Sequence, residues 1–223
     1  MIVVHHLNNS RSQRVLWLLE ELGLDYEIVR YQRNAQTMLA PPELRAIHPL
    51  GKSPVIVDNG IVVAESGAIV EYLVSTYGNG RLRPPAGTED CRRWTYFLHY
   101  AEGSAMAPLL MKLVFDRVET SPAPFFVKPV ARGVARKVKG SYLEPQIATH
   151  LDFLEAELGK APWFAGADFT AADIQMSFPL EAAEARAGLD SSRPRLMHFL
   201  ERIHARPAYR RAIERGGEYA LLK

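Results

Sequence analysis

Three polar side chains precede a run of apolar residues with helical spacing, where they could donate hydrogen bonds to an anion. Asn9, Ser10 and Ser12 stand just before the apolar positions of residues 15–22. A hydroxyl near a helix N-terminus favours a bound thiolate, because the donor and the partial positive charge of the helix both act on sulfur. A free thiol has a pKa of about 8.5, so such a turn increases its ionisation at neutral pH. Ser10 is the preferred donor, Ser12 and Asn9 remain alternatives, and helix capping is the structural alternative for either serine.

A second set of polar residues stands at the start of a later predicted helix and indicates an anion site. Glu65 and Ser66 precede an apolar stripe that contains Ile69, Val70 and Leu73. The first N–H groups of a helix have no partner within it, so together with the Ser66 hydroxyl they suit a carboxylate.

The elements that must position these groups begin with a strand, a helix and a second strand. Residues 2–7 are apolar and β-branched, which predicts a buried strand. The apolar residues between 15 and 22 recur at helical spacing and end at Gly23, a helix stop signal. Residues 26–31 alternate like a second strand, and the pattern then predicts a short helix over 43–47.

A β-hairpin and a helix complete the first half of the chain. Two apolar runs flank Asn59 and Gly60, a pair that is a strong hairpin signal. A helix with an apolar stripe follows from Glu65. The predicted fold of this half is therefore α/β, with the order βαβαββα.

The second half of the chain is predicted to be all-α. A stretch rich in glycine and proline predicts a linker at 81–88, between a domain at 1–80 and a domain at 89–223. The proline-rich residues 121–129 predict an irregular connection. Helical periodicity is present in residues 89–115, 142–158, 170–187 and 194–206.

Composition and spacing exclude several classes of function. The net charge of +2 gives no field for binding nucleic acid, and no apolar run is long enough to span a membrane. The single cysteine, Cys91, excludes an internal disulfide or CxxC pair and fits a reducing, cytoplasmic location. His5 and His6 point to opposite faces of a strand, so they do not form a metal site together. The GxSxG motif of serine hydrolases is absent.

Three segments together resemble the cytosolic glutathione transferase family, of the bacterial type with a serine in the active-site turn rather than a tyrosine or cysteine. They are SRSQRVLWLLEELGLDYE at residues 10–27, HPLGKSPVIVDNGIVVAESGAIVEYL at 48–73 and GADFTAADI at 166–174. The resemblance implies a thioredoxin-like first domain, a helical-bundle second domain and glutathione as co-substrate. It also implies attack of the glutathione thiolate on a hydrophobic electrophile, with peroxide reduction as a further activity. The alternative is a non-catalytic glutathione- or ligand-binding regulatory protein on the same fold.

The resemblance also implies roles for individual residues. Ser10 would contact sulfur, although other members of the family place the active hydroxyl at the position of Asn9. The Ser53–Pro54 peptide bond would be cis, with the main chain of residue 53 pairing with glutathione. Ser66 would hold the γ-glutamyl carboxylate, Glu65 the α-amino group and Lys52 the glycyl carboxylate. His48 and Gln36 would make weaker contacts with the same tripeptide. The electrophile pocket would be lined by Tyr96, His99, Tyr100, Gly103, Met106 and Ala107.

Two further expectations concern folding and assembly. Thr170 and Asp173 have capping-box spacing, so Asp173 is predicted to be structural rather than catalytic. The resemblance implies a homodimer in which the N-terminal domain of one subunit pairs with the C-terminal domain of the other.

Overall fold

A four-stranded mixed sheet forms the centre of the N-terminal half. The computed structural model describes residues 1–34, 36–37 and 39–221. The sheet order is β2-β1-β3-β4, with β1 parallel to β2 and antiparallel to β3. The predicted strands are confirmed, with the bounds β1 (Ile2–Leu7), β2 (Tyr26–Tyr31), β3 (Val55–Asp58) and β4 (Ile61–Ala64).

Three helices complete this half and give the predicted βαβαββα order. They are α1 (Ser12–Leu22), α2 (Leu44–Ile47) and α3 (Ser66–Tyr77). Gly23 ends α1 with a φ of 68°, a left-handed conformation that glycine adopts without a Cβ penalty. Asn59 and Gly60 have φ values of 48° and 86°, as a two-residue type I′ hairpin turn requires.

The described residues after 89 form helices and connections, as predicted. Two π-helical turns, Ala101–Ala105 and Lys139–Leu143, each connect two α-helices. The pattern predicted no helix in the place of α10, because its buried face consists of small residues and Tyr209 between arginines. The α-helices are α4 (Glu89–Tyr100), α5 (Met106–Thr120), α6 (Lys128–Val138), α7 (Glu144–Glu157), α8 (Ala171–Arg186), α9 (Pro194–His204) and α10 (Pro207–Gly216).

Helix α1 is enclosed between the sheet and the C-terminal helices. It contacts β1, α3, α8 and α10. Trp17 is fully buried, with its ring centroid 5.0 Å from Tyr209 and 5.7 Å from Phe169. This burial of large aromatic surface fixes α1 against the second half, so the turn before α1 is held by both halves of the chain.

The start of α8 contains the capping box. The Thr170 hydroxyl accepts the Ala172 N–H at 3.3 Å, and Asp173 accepts the Thr170 N–H at 2.8 Å. Asp173 also accepts the Phe164 N–H at 2.9 Å. Burial raises the pKa of Asp173 to about 6, although these N–H donors act in the opposite direction. Asp173 therefore connects the loop before α8 to the helix itself.

Candidate active site

The turn between β1 and α1 presents the predicted hydroxyl donors. Asn9 adopts a left-handed conformation with a φ of 51°, which turns the chain from the end of β1 toward α1. The Ser10 and Ser12 hydroxyl oxygens lie 2.7 Å apart, and the Ser12 N–H donates to Ser10 Oγ at 3.2 Å. The turn therefore holds both hydroxyls in a defined geometry at the N-terminus of α1.

Ser12 connects this turn to a buried histidine. Ser12 is fully buried, and its Oγ lies 2.9 Å from His6 Nδ1 and 3.4 Å from the Leu7 carbonyl. Burial and the nearby Arg30 charge lower the pKa of His6 to about 4, while a hydrogen bond to the Gly216 main chain acts against them. The ring is neutral at physiological pH, and the sequence did not reveal its role in this network.

The neutral His6 predicts a pH dependence of stability. The pKa of His6 falls from 6.5 when unfolded to about 4 when folded. Between these values only the unfolded chain binds the proton, so the free energy of unfolding decreases as pH falls, by up to about 1.4 kcal/mol per pH unit. His6→Asn keeps an acceptor for Ser12 but does not titrate. We expect urea unfolding to show the stability of the wild type falling relative to this variant between pH 6.5 and pH 4. Parallel curves would contradict the assignment.

A polar groove of about 260 Å³ brings most of the predicted ligand contacts together. It is bordered by the turn before α1, the segment before β3, the start of α3, the π-helical turn Ala101–Ala105 and α5. Six of its residues were predicted from the sequence: His48, Lys52, Ser53, Pro54, Glu65 and Ser66. The groove is also lined by Arg11, Leu50, Ala64, Glu102 and Leu110.

Ser53 anchors one side of the polar groove. The Ser53–Pro54 peptide bond is cis, as the resemblance implied. Ser53 Oγ donates to the His5 carbonyl at 2.8 Å and accepts the Leu7 N–H at 3.3 Å. The Ser53 side chain is therefore hydrogen-bonded to the main chain of β1, and the residue lines the groove beside Pro54.

The other side of the polar groove is the start of α3. Glu65 has φ 71° and ψ 128°, a strained conformation for a residue with a side chain. Ser66 is 4% exposed at the first position of α3. The unpaired N–H groups of this turn and the Ser66 hydroxyl are donors of the kind that suits an anion.

Arginine and glutamate side chains join the two halves of the chain next to the groove. Arg11 Nε lies 2.8 Å from Glu102 Oε2, and Arg14 Nη2 also donates to Glu102. Arg14 is 1% exposed and donates to the Gln175 carbonyl at 2.6 Å. Burial raises the pKa of Glu102, but the charges of Arg14 and Arg11 outweigh it and the net shift is downward. These residues could not be identified from the sequence, because their pairing depends on contacts between distant helices.

Gln36 is not part of the groove. Its N–H donates to Asn34 Oδ1 at 2.9 Å in an exposed turn, and it lines neither the polar groove nor the larger cavity described next. Asn34 Oδ1 also accepts the Thr37 N–H at 2.9 Å, so the Gln36 main chain is bonded to a local turn at Asn34.

A deep cavity of about 560 Å³ adjoins the polar groove and shares Arg11 and Leu110 with it. Ser10 and Asn9 line it at the turn before α1. The apolar residues that line it are Met106, Leu109, Leu110, Leu113, Phe178, Ala182, Ala187 and Leu221. Its charged residues are Arg11, Arg33, Lys112, Asp116, Arg117 and Arg186, and Asn8 completes it.

The structure differs from the predicted electrophile pocket in five of its six residues. Of the predicted set only Met106 lines the deep cavity. Tyr100 Oη lies 2.5 Å from His150 Nδ1, and Tyr96 stacks on Tyr100, so both rings face α7. His99, Gly103 and Ala107 are exposed and also lie outside the cavity. The π-helical turn Ala101–Ala105 changes the helical phase, so a continuous helix over 96–107 predicts the wrong face.

The C-terminal segment closes one side of the deep cavity. The Ala220 N–H donates to Asn9 Oδ1 at 2.6 Å, and Leu221 lines the cavity. Tyr219 is anchored by a 2.7 Å hydrogen bond to the buried Glu181. This contact could not be predicted from the residue pattern, because the segment follows α10 and has no periodicity.

Comparison with known proteins decides the family. Residues 1–75 match the family model "Glutathione S-transferase, N-terminal domain", and residues 131–215 match "Glutathione S-transferase, C-terminal domain". The chain belongs to the glutathione S-transferase family. A glutathione S-transferase of Schizosaccharomyces pombe is 36% identical over 96% of this chain and 88% of its own length. One of Saccharomyces cerevisiae is 34% identical over 96% of this chain and 95% of its own length.

The structural comparison agrees with the sequence comparison. A glutathione S-transferase of Actinobacillus pleuropneumoniae has a TM-score of 0.82 and 32% identity, covering 99% of this chain and 94% of that one. The chain is therefore a glutathione S-transferase enzyme with a thioredoxin-like N-terminal domain and a helical C-terminal domain. Within the described ranges, no helix is both long and apolar enough to cross a membrane. The same residues include no cluster of His, Cys, Asp and Glu suited to a metal ion.

Proposed function

We propose that this enzyme ionises the thiol of glutathione and directs the thiolate at a hydrophobic electrophile in the deep cavity. In this reaction the thiol proton leaves to solvent, a sulfur–carbon bond forms and the leaving group departs with its electron pair. The observation that carries the proposal is the position of Ser10. This residue lines the deep cavity at the N-terminus of α1, beside a polar groove with an anion-binding end.

The polar groove supports glutathione as the thiol substrate. Ser66 and the first N–H groups of α3 suit the γ-glutamyl carboxylate. Glu65 and Glu102 line the same groove and suit the α-amino group, and Lys52 suits the glycyl carboxylate. The main chain of Ser53 is proposed to pair with the cysteinyl part, which would direct sulfur toward Arg11 and the turn before α1.

Ser10 is the proposed donor to sulfur because the polar side chains of Ser12 and Asn9 already have partners within the protein. Ser12 is fully buried, and its hydroxyl lies among His6, Leu7 and Ser10. The Asn9 amide oxygen accepts the Ala220 N–H. Rotation about the Cβ–Oγ bond can turn the Ser10 proton from Ser12 to a thiolate. Ser12 and His6 then act as positioning residues that hold the Ser10 oxygen in place.

The alternative of a non-catalytic binding protein is less well supported. The groove retains Lys52, Pro54, Glu65 and Ser66, and the close relatives over nearly the whole chain are glutathione S-transferases. Peroxide reduction by the same thiolate and a cytoplasmic location remain predictions.

Binding of glutathione tests the first step of the proposal. A ligand at 100 times its Kd stabilises a protein by about 2.7 kcal/mol, so saturating glutathione should raise the melting temperature. We expect Ser66→Ala to weaken binding by about tenfold, since it removes a hydrogen bond to a charged group. Ser75→Ala, an exposed serine on the same helix, is the matched control. No shift with the wild type, or equal binding by Ser66→Ala, would contradict the proposed site.

A homodimer is proposed on the basis of exposed apolar side chains in both halves. Ile61 and Val62 on the edge strand β4 are 54% and 46% exposed, and Val130 on α6 is 67% exposed. Water contact at such residues is unfavourable, and subunit association would remove it. Sedimentation of particles with twice the 25.0 kDa chain mass would support the dimer, and particles of one chain mass would refute it.

A further inference from the structure

The deep cavity combines apolar walls with an excess of positive charge. Its walls are built mainly from leucine, methionine and phenylalanine side chains of α5 and α8. Against the single carboxylate of Asp116, it is lined by five cations: Arg11, Arg33, Lys112, Arg117 and Arg186. The whole chain has a net charge of only +2, so this positive charge is concentrated at the cavity.

Ion pairs account for only part of this charge. Arg11 pairs with Glu102 at 2.8 Å, and Lys112 pairs with Asp116 at 2.8 Å. Asp116 also lies 2.6 Å from Lys139, so one carboxylate is shared by two lysines. In the part of the chain that the structure describes, neither Arg117 nor Arg186 has a carboxylate partner.

Two of the cations that line the cavity, Arg11 and Arg117, repel a third, Arg33. Burial and the positive charges of Arg11 and Arg117 lower the pKa of Arg33. Arg117 and Arg186 stand in the last turns of α5 and α8, where the partial negative charge of a helix end helps to hold a cation. A bound anion would offset this positive charge, because it would give Arg117 and Arg186 a charged partner.

We propose that the electrophile of this enzyme carries a carboxylate or sulfonate on an apolar body, and that Arg117 and Arg186 bind this anionic group. The inference rests on the proposed function, since it names the class of the second substrate. The two carboxylates of glutathione do not use these arginines, because both are assigned to the polar groove. The apolar walls then hold the body of the electrophile with its reacting carbon toward Ser10.

A pair of electrophiles that differ in one charge tests the proposal. We would compare 4-chloro-3,5-dinitrobenzoate with its neutral methyl ester. In both, the thiolate attacks the carbon that bears chlorine, the carbon–sulfur bond forms, chloride leaves and the thiol proton goes to solvent. Each kcat/KM is divided by the uncatalysed rate constant for the same compound. The acid should be preferred by about tenfold, as for two unit charges about 6 Å from the anion in an aqueous dielectric.

The double substitution of Arg117→Gln and Arg186→Gln should reduce this preference to about one. Arg132→Gln is the matched control, because Arg132 is an exposed arginine of α6 that does not line the cavity. A wild-type preference of one or less would overturn the proposal, as would a preference that the double substitution leaves unchanged. Both results would leave the proposed function intact, because both compounds would still be conjugated.

If neither compound is conjugated, that result counts against the proposed function itself. A binding measurement then tests the anion site separately. The fluorescent probes are 8-anilinonaphthalene-1-sulfonate, an anion, and N-phenyl-1-naphthylamine, its neutral counterpart. The proposal predicts that the double substitution weakens binding of the sulfonate by about tenfold and of the neutral probe by less than twofold. Equal effects on the two probes would overturn it.

Discussion

Replacement of Ser10 by alanine is expected to lower kcat/KM for conjugation by about 10- to 100-fold at pH 7, with little change in the affinity for glutathione. The hydroxyl contacts sulfur in the proposed complex, and its hydrogen bond favours the thiolate over the thiol. Its loss should raise the pKa of bound glutathione by about one to two units, at about 1.4 kcal/mol per unit. Steady-state kinetics with a neutral electrophile measures the effect.

Two variants of the same turn serve as controls for Ser10→Ala. Ser10→Thr keeps the hydroxyl and should recover part of the activity. Ser12→Ala leaves the Ser10 hydroxyl in place but removes its support, so it should lower kcat/KM less than Ser10→Ala does. If Ser10→Ala were unimpaired and Ser12→Ala or Asn9→Ala were inactive, the donor would be one of these alternatives.

Replacement of Asp173 by alanine is expected to lower the free energy of unfolding by about 3–5 kcal/mol. The fully buried carboxylate accepts the Thr170 N–H at 2.8 Å and the Phe164 N–H at 2.9 Å. Alanine would leave both buried donors without a partner, at a cost of about 1–3 kcal/mol each, and would also remove the capping box. Urea denaturation followed by circular dichroism measures the loss.

Asp190 provides the matched control, since its side chain accepts the Ser192 N–H at 2.9 Å in an exposed turn. Asp190→Ala should cost less than about 1 kcal/mol, because water can replace the lost acceptor. A loss of stability in Asp173→Ala no larger than that of Asp190→Ala would contradict the structural role. A folded Asp173→Ala protein with no activity would indicate a catalytic role instead.

The parts of the fold that depend on local patterns could be predicted from the sequence. The Asn59-Gly60 pair specified the hairpin turn, and Gly23 specified the end of α1. The polar groove was also predictable in large part, because the resemblance to glutathione transferases implied that Lys52 to Pro54 and Glu65 to Ser66 contact one ligand, and the structure places them in one groove.

The deep cavity could not be predicted in the same way. One extra residue in the π-helical turn Ala101–Ala105 changes which side chains of α5 face the turn before α1, and no composition signal marks it. The contact of Ala220 with Asn9 and the pairing of Glu102 with Arg11 and Arg14 join residues far apart in the chain. Such contacts depend on how helices pack, which the spacing of residues within one helix does not determine.

The thiol pKa of bound glutathione shows whether this enzyme ionises the thiol of its substrate. Ultraviolet absorbance of the thiolate would be followed against pH for the wild-type complex, with free glutathione as the reference. We expect a midpoint at least about one unit below that of the free tripeptide, and a return toward the free value in Ser10→Ala. A wild-type midpoint equal to that of free glutathione, with the tripeptide demonstrably bound, would contradict it.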